Sequence, residues 1–253
     1  MEGAQMLARS IEGSKLTFLF VHEHHPKHPP LHSEEEIRKE IAAHADQSGI
    51  DYDFVMREGK VYREIVKAAA ELDVDLIIMG THGTSGFQEF FAGSNSYRVA
   101  TAAPCPVITV KDKLQLNSFH TLVLPIDNSR DTRQKVPQTA ILAQLLNAEV
   151  HVLVITGHAE EEKNRLHMYG LQAQKFLEAG KVKTKFETME GKSSYKLVTE
   201  YAKKVKADLI VIMTEQESES LFMGPTAQQM IHHSPYPVMS VKPHEVNISY
   251  AQL

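Results

Sequence analysis

The chain has 253 residues, 42% of them hydrophobic and 23% charged, a composition typical of a globular protein. Its net charge of −5 disfavours nucleic acid as a partner, because a phosphate backbone attracts a basic surface, and no apolar run is long enough to suggest a membrane partner. A start unlike a signal peptide and a single cysteine, Cys105, lead us to expect a cytoplasmic protein without an internal disulfide.

The first half of the chain alternates predicted strands with predicted helices. Runs of apolar and β-branched residues predict strands at Leu16–His22, Asp51–Met56, Val74–Met79 and Val107–Val110. Helical periodicity predicts helices at Ser33–Gln47, Val61–Leu72 and Ser94–Ala102. Buried strands joined by amphipathic helices indicate an α/β protein whose parallel sheet is covered on both faces.

The second half repeats this alternation. We expect strands at His120–Asp127, Glu149–Thr156, Val182–Met189, Asp208–Met213 and Pro237–Val241. The predicted helices are Ser129–Ala148, Glu160–Ala179, Ser194–Lys206 and Gly224–His233. We therefore place one domain at residues 1–112 and a second at 119–253, joined by a linker at 113–118.

Direct comparison of the halves indicates an internal repeat. Residues 75–79 recur at 208–212 with an offset of 133 residues, and residues 104–107 recur at 235–238 with an offset of 131. Near the start the offset is 134, which places Met1 opposite Lys135 and leaves the strand His120–Asp127 without a counterpart. That strand is central in a five-stranded doubly wound sheet, so the first half should contain a split sheet unless another segment fills the space.

A glycine-rich loop follows the third predicted strand. Its glycines are Gly80, Gly83 and Gly93, spaced Gly-x2-Gly-x9-Gly, and Ser94 opens the next helix. Glycine lets a ligand approach the main chain closely, and unpaired N–H groups at a helix start attract anions. The loop therefore predicts a phosphate site at the carboxyl edge of the sheet, with a loop that only caps the helix as the alternative.

In this strand–loop–helix context the loop resembles the ATP-binding signature of the universal stress protein family. The resemblance extends over nearly the whole chain, as a tandem of two such domains. It implies two flavodoxin-like, adenine-nucleotide-hydrolase-like doubly wound domains, the first lacking its N-terminal strand. It also implies a regulatory role in a stress response, with ATP or AMP as the ligand, with or without Mg. The implied nucleotide-binding residues are Val21, Gly80, Thr81, His82, Gly83, Gly93, Ser94 and Asn95.

The second half departs from the signature. Its loop has lost the first two glycines and carries three glutamates, each of which would repel a phosphate about 5 Å away by roughly 1–3 kcal/mol. Gly224 and Thr226 keep the end of the signature, and the resemblance places Asp127 at the family's acidic nucleotide contact. We interpret Asp127, Gly224 and Thr226 as the vestige of a second nucleotide site.

Other kinds of site are weaker hypotheses. A histidine-rich segment offers candidates for a transition-metal site at His22, His24, His25, His28 and His32, although their spacing is not diagnostic. Because the glycine loop has no lysine for phosphoryl transfer, we expect no enzyme, and slow ATP hydrolysis assisted by His82 stays an alternative. A protein-interaction module that does not need nucleotide is a further alternative.

The last strand of each half is a predicted sheet edge. Exposed edges favour pairing, and the resemblance implies that Val107–Val110 and Val238–Val241 pair within the chain or in a homodimer. The sequence identifies no particular protein partner.

Overall fold

The computed structural model of the chain describes residues 2–23, 33–45, 51–81, 94–111, 119–129, 131–191, 194–214 and 225–243. The elements of the first half are α1 (Glu2–Ser10), β1 (Leu16–His22), α2 (Glu34–Ala45), β2 (Tyr52–Glu58), α3 (Val61–Glu71), β3 (Ile77–Gly80), α4 (Ser94–Ala102) and β4 (Val107–Val110). Those of the second half are β5 (Thr121–Ile126), α5 (Val136–Leu146), β6 (Glu149–Thr156), α6 (Glu160–Ala179), β7 (Lys183–Glu190), α7 (Ser194–Val205), β8 (Leu209–Met213), α8 (Pro225–His233) and β9 (Val238–Val241). The alternating α/β order predicted from the sequence is confirmed.

Two helix predictions need correction. Helix α1 was not predicted, although the repeat offset places it opposite the start of α5. Helix α5 begins at Val136 rather than Ser129, and residues 131–135 form turns instead. Asp127 and Ser129 bond to nearby main-chain and side-chain groups, which offers the backbone an alternative to the helix, and Pro137 suits a first helical turn.

The second half forms a complete doubly wound sheet. Its strands lie in the order β9-β8-β5-β6-β7, all parallel, with β5 in the centre. Apolar side chains of α5 and α6 pack on one face of this sheet, and those of α7 and α8 pack on the other. Because both faces are covered, the strands are continuously apolar rather than alternating.

The sheet of the first half is split, as the missing counterpart of β5 predicted. Strand β1 pairs with β2 as a separate two-stranded sheet, and β3 pairs with β4. Strands β3 and β4 extend the sheet of the second half, so that seven strands are continuous. In the described part of the chain, β1 is therefore not hydrogen-bonded to β3.

The two repeats join through their last strands. Strand β4 pairs antiparallel with β9, with Ile108 opposite Met239. The hydroxyl of Thr109 donates to the carbonyl of Val238 at 3.3 Å. This contact confirms that the last strands pair within the chain.

Helices α4 and α8 extend the junction beside these strands. The ring of Tyr97 in α4 stacks on that of His232 in α8, with centroids 6.3 Å apart and planes inclined by 14°. The Lys111 ammonium donates to the carbonyl of His233 at 3.0 Å, at the carboxyl end of α8. A cation at this position also stabilises the negative end of the helix dipole.

Candidate functional site

The described residues of the first-repeat site lie at strand and helix termini. Val21 is near the carboxyl end of β1, Gly80 ends β3, and Ser94 and Asn95 open α4. Thr81 follows β3, is only 8% exposed, and donates its main-chain N–H to the carbonyl of Val110 at 3.0 Å. The carboxyl ends of parallel strands are where doubly wound sheets bind ligands.

Three predicted residues of this site, His82, Gly83 and Gly93, lie outside the described residues. The described part therefore provides the two ends of the predicted phosphate loop. A glycine stands where the loop leaves the sheet, and a helix of nine residues stands where the loop returns. The N-terminus of such a helix has unpaired N–H groups and a partial positive charge, both favourable for an anion.

The corresponding region of the second repeat encloses a small cavity of about 30 Å³. That volume accommodates about one or two water molecules, far less than a nucleotide needs. Its polar lining comes from the loop after β5 and the starts of α7 and α8: Asp127, Ser129, Lys135, Ser194 and Thr226. Of the predicted vestigial residues, Asp127 and Thr226 thus line one cavity, while Gly224 lies outside the described residues.

Asp127 is held by its own loop. Its carboxylate accepts hydrogen bonds from the hydroxyl of Ser129 at 2.7 Å and from the main-chain N–H of Ser129 at 3.2 Å. Its main-chain N–H donates to the hydroxyl of Thr132 at 3.1 Å. These bonds satisfy the carboxylate within the protein and fix it at the end of β5.

Lys135 is a cavity residue that the sequence did not reveal. Its side chain is buried, with 2% exposed, and its ammonium donates to the carbonyl of Thr132 at 2.6 Å and to the hydroxyl of Thr132 at 3.2 Å. A buried charge needs such partners, because its transfer from water is costly. Nothing in the sequence distinguishes this lysine, since its burial depends on the turn that precedes α5.

The other candidate groups show no arrangement for metal binding or for a reactive thiol. Within the described ranges, no three His, Cys, Asp or Glu side chains are grouped to hold a metal ion. His22 ends β1, and His24, His25, His28 and His32 lie outside the described residues. Burial is the main cause that raises the pKa of the Cys105 thiol to about 11, which disfavours the reactive thiolate.

No helix in the described part of the chain combines the length and apolar character needed to cross a bilayer.

Comparison with known proteins finds the same family in both repeats. The sequence model of the Universal stress protein family matches residues 1–111 and again residues 118–242. Universal stress protein Sll1654 from Synechocystis is 36% identical over 122 residues, which cover 43% of this chain and 76% of that protein. Universal stress protein MJ0531 from Methanocaldococcus jannaschii is 38% identical over 77 residues, which cover 30% of this chain and 45% of that protein.

Several of these alignments are partial. The match to MJ0531 spans 45% of that relative, and the match to Universal stress protein YxiE from Bacillus subtilis spans 63%. Among solved structures, a universal stress protein from Archaeoglobus fulgidus superposes with a TM-score of 0.72 at 19% identity. That superposition covers 94% of this chain and 93% of the other, and it supports the two-repeat fold.

Proposed function

Because this chain belongs to the universal stress protein family, we propose that its first repeat binds an adenine nucleotide, ATP or AMP, in a regulatory role. The observation that carries the proposal is the pair of termini around the glycine loop. Gly80 ends a parallel strand, and Ser94 and Asn95 open a helix without a carboxylate in its first turn. Main-chain N–H groups and the helix dipole there favour phosphate.

Comparison of the repeats supports the choice of the first. In the second repeat, the equivalent helix α8 begins with Pro225, which has no N–H to donate, and the adjoining cavity has room for water alone. The segment before α8 carries glutamates at positions 215, 217 and 219. We therefore assign nucleotide binding to the first repeat, with Val21 at the adenine and Mg as a companion of ATP.

Isothermal titration of the whole chain with ATP and AMP tests this assignment. We expect saturable binding at a single site, and we expect Asn95→Asp to weaken it, because a carboxylate at the start of α4 repels phosphate by roughly 1–3 kcal/mol. The matched control is Thr226→Asp, which adds the same charge at the start of α8.

Equal weakening by the two variants, or no heat at millimolar nucleotide, would contradict the assignment. The family relationship would still stand in either case, because it rests on the sequence matches of both repeats.

A second candidate function is an interaction module that does not need nucleotide. It is favoured by large apolar side chains exposed on α5 and α6: Ile141, Leu145, Met168 and Leu171. Ile141 and Leu145 are four residues apart and share a helix face. Capture of the same partner with and without ATP, and its loss in Ile141→Ser, would favour this function over nucleotide-dependent regulation.

Catalysis is a separate question from binding. Slow ATP hydrolysis predicts phosphate release that falls in His82→Ala while ATP affinity is retained. Phosphate release that this variant leaves unchanged would remove the hydrolysis alternative.

A further inference from the structure

The first repeat has an open position between two parallel strands. We call it the β1–β3 slot, bounded by the facing edges of β1 (Leu16–His22) and β3 (Ile77–Gly80). In the second repeat, β6 and β8 occupy the equivalent positions, and both pair with β5. No strand in the described ranges fills the corresponding position in the first repeat.

The register of β5 predicts how a strand would fit the slot. Leu122 of β5 lies opposite Val150 of β6 and Leu209 of β8. The repeat offsets of 134 and 133 residues transfer this pair to Leu16 and Leu76. A strand in the slot would therefore run parallel to β1 and β3 in a defined register.

Exposure of the flanking strands agrees with an open position. Every residue of β1 is partly exposed, whereas Val150 and Val152 of the equivalent β6 are fully buried. Likewise Ile77 and Ile78 of β3 are partly exposed, and the residues of β8 are buried. Unpaired edges with apolar side chains are a template for pairing with another chain.

The helical layers beside the slot resemble those around β5. Helix α3 packs against β1 and α4, as α7 packs against β6 and α8. Leu7 of α1 is 5% exposed and belongs to the same apolar cluster as Leu122 of β5 and Ile108 of β4. A strand in the slot would therefore meet helices on both faces and should be apolar on both, as β5 is.

A carboxylate at the start of β3 provides a second, independent observation. In the second repeat, Asp208 accepts the main-chain N–H groups of His120 and Thr121 at 2.8 and 2.9 Å, which fixes the start of β5. The offset of 133 residues makes Asp75 its equivalent. Asp75 is exposed, and no described residue donates a hydrogen bond to its carboxylate.

We propose that the β1–β3 slot binds an extended apolar segment of a partner polypeptide, parallel to both strands, with its first N–H groups donated to Asp75. Main-chain pairing supplies the affinity and the apolar side chains supply the selectivity. The bound segment ends at the carboxyl edge that also contains Val21 and Gly80. The proposal rests on topology and is independent of nucleotide binding.

A labelled peptide with the sequence of residues 119–128, which include β5, is a suitable probe for the whole chain. Fluorescence anisotropy should show saturable binding with one peptide per chain. Asp75→Asn should raise the Kd about tenfold or more, because it weakens two hydrogen bonds to a charged group. Asp73→Asn is the matched control, since it removes the same charge two residues away and asparagine tolerates the φ of 49° found there.

Two further measurements identify the site. N-methylation of the peptide at the positions of His120 and Thr121 removes the donors for Asp75 and should reproduce the loss seen in Asp75→Asn. Hydrogen exchange should slow in β1 and β3 when the peptide binds and should stay unchanged in β6. Absence of binding, equal binding of a scrambled peptide, or protection confined to the second repeat would overturn the proposal.

Discussion

Gly170 lies where helix α6 approaches the sheet most closely, and its replacement by alanine should destabilise the protein. A Cβ at this position would overlap Cγ2 of Val154 and lie 2.8 Å from Cε2 of Phe186. Carbon atoms pack favourably at about 3.5–4.0 Å, so both neighbours would have to move. Val154 is fully buried in β6 and is stiff because it is β-branched, so it cannot move without strain.

The expected magnitude is the difference between two opposing effects. Overpacking of a core costs about 1–3 kcal/mol, and replacement of a helical glycine by alanine stabilises by about 1 kcal/mol. Because two side chains are overlapped at Gly170, we expect a net loss near 1–2 kcal/mol in the free energy of unfolding. Urea denaturation followed by circular dichroism measures this loss.

A double-mutant cycle separates overlap from other causes. Val154→Ala removes the methyl group that the new Cβ would meet, so it should cost less in the Gly170→Ala background than alone. Additivity of the two changes within about 0.5 kcal/mol would refute the overlap argument. Gly180→Ala is the control, since its Cβ would meet mainly the mobile end of the Gln144 side chain.

Three further predictions concern single groups. Asp208→Ala should cost about 2–4 kcal/mol in urea denaturation, because two N–H groups of β5 lose a charged acceptor, while Asp75→Ala alone should change stability by less than about 0.5 kcal/mol. Burial, followed by the nearby His233, lowers the pKa of His232 below its usual 6.5, so the unfolded chain binds the proton more readily. Stability should therefore fall as pH decreases through about 6.5 and below, and His232→Gln should flatten that slope in pH-dependent melting curves; an unchanged slope would exclude His232 as the cause. Cys105, with its pKa raised to about 11, should react with iodoacetamide far more slowly than free cysteine at neutral pH, and a rate equal to free cysteine would contradict its burial.

Much of the fold could be predicted because each strand is a short apolar run bounded by polar residues. β1 and β6 were placed with their observed bounds, and the split of the first sheet followed from the missing counterpart of β5. The start of α5 was wrong because helical spacing does not reveal the side-chain bonds of Asp127 that hold a turn before it.

The candidate site was less accessible to sequence reasoning. The glycines could be found from their spacing, since their use depends on local backbone freedom. The burial of Lys135 and the contact of Asp208 with β5 could not, because both depend on which segments the fold brings together. The contrast between Asp75 and Asp208 emerges only when the two repeats are compared in three dimensions.

The antiparallel contact between β4 and β9 also determines where ligands can act on this molecule. Strands on either side of the contact point in opposite directions, so the carboxyl edge of one repeat lies at the opposite pole from that of the other. A protein seated over one pole leaves the other open to solvent. Any influence between a nucleotide at the first pole and the Asp127 cavity at the second must therefore travel along the strands themselves.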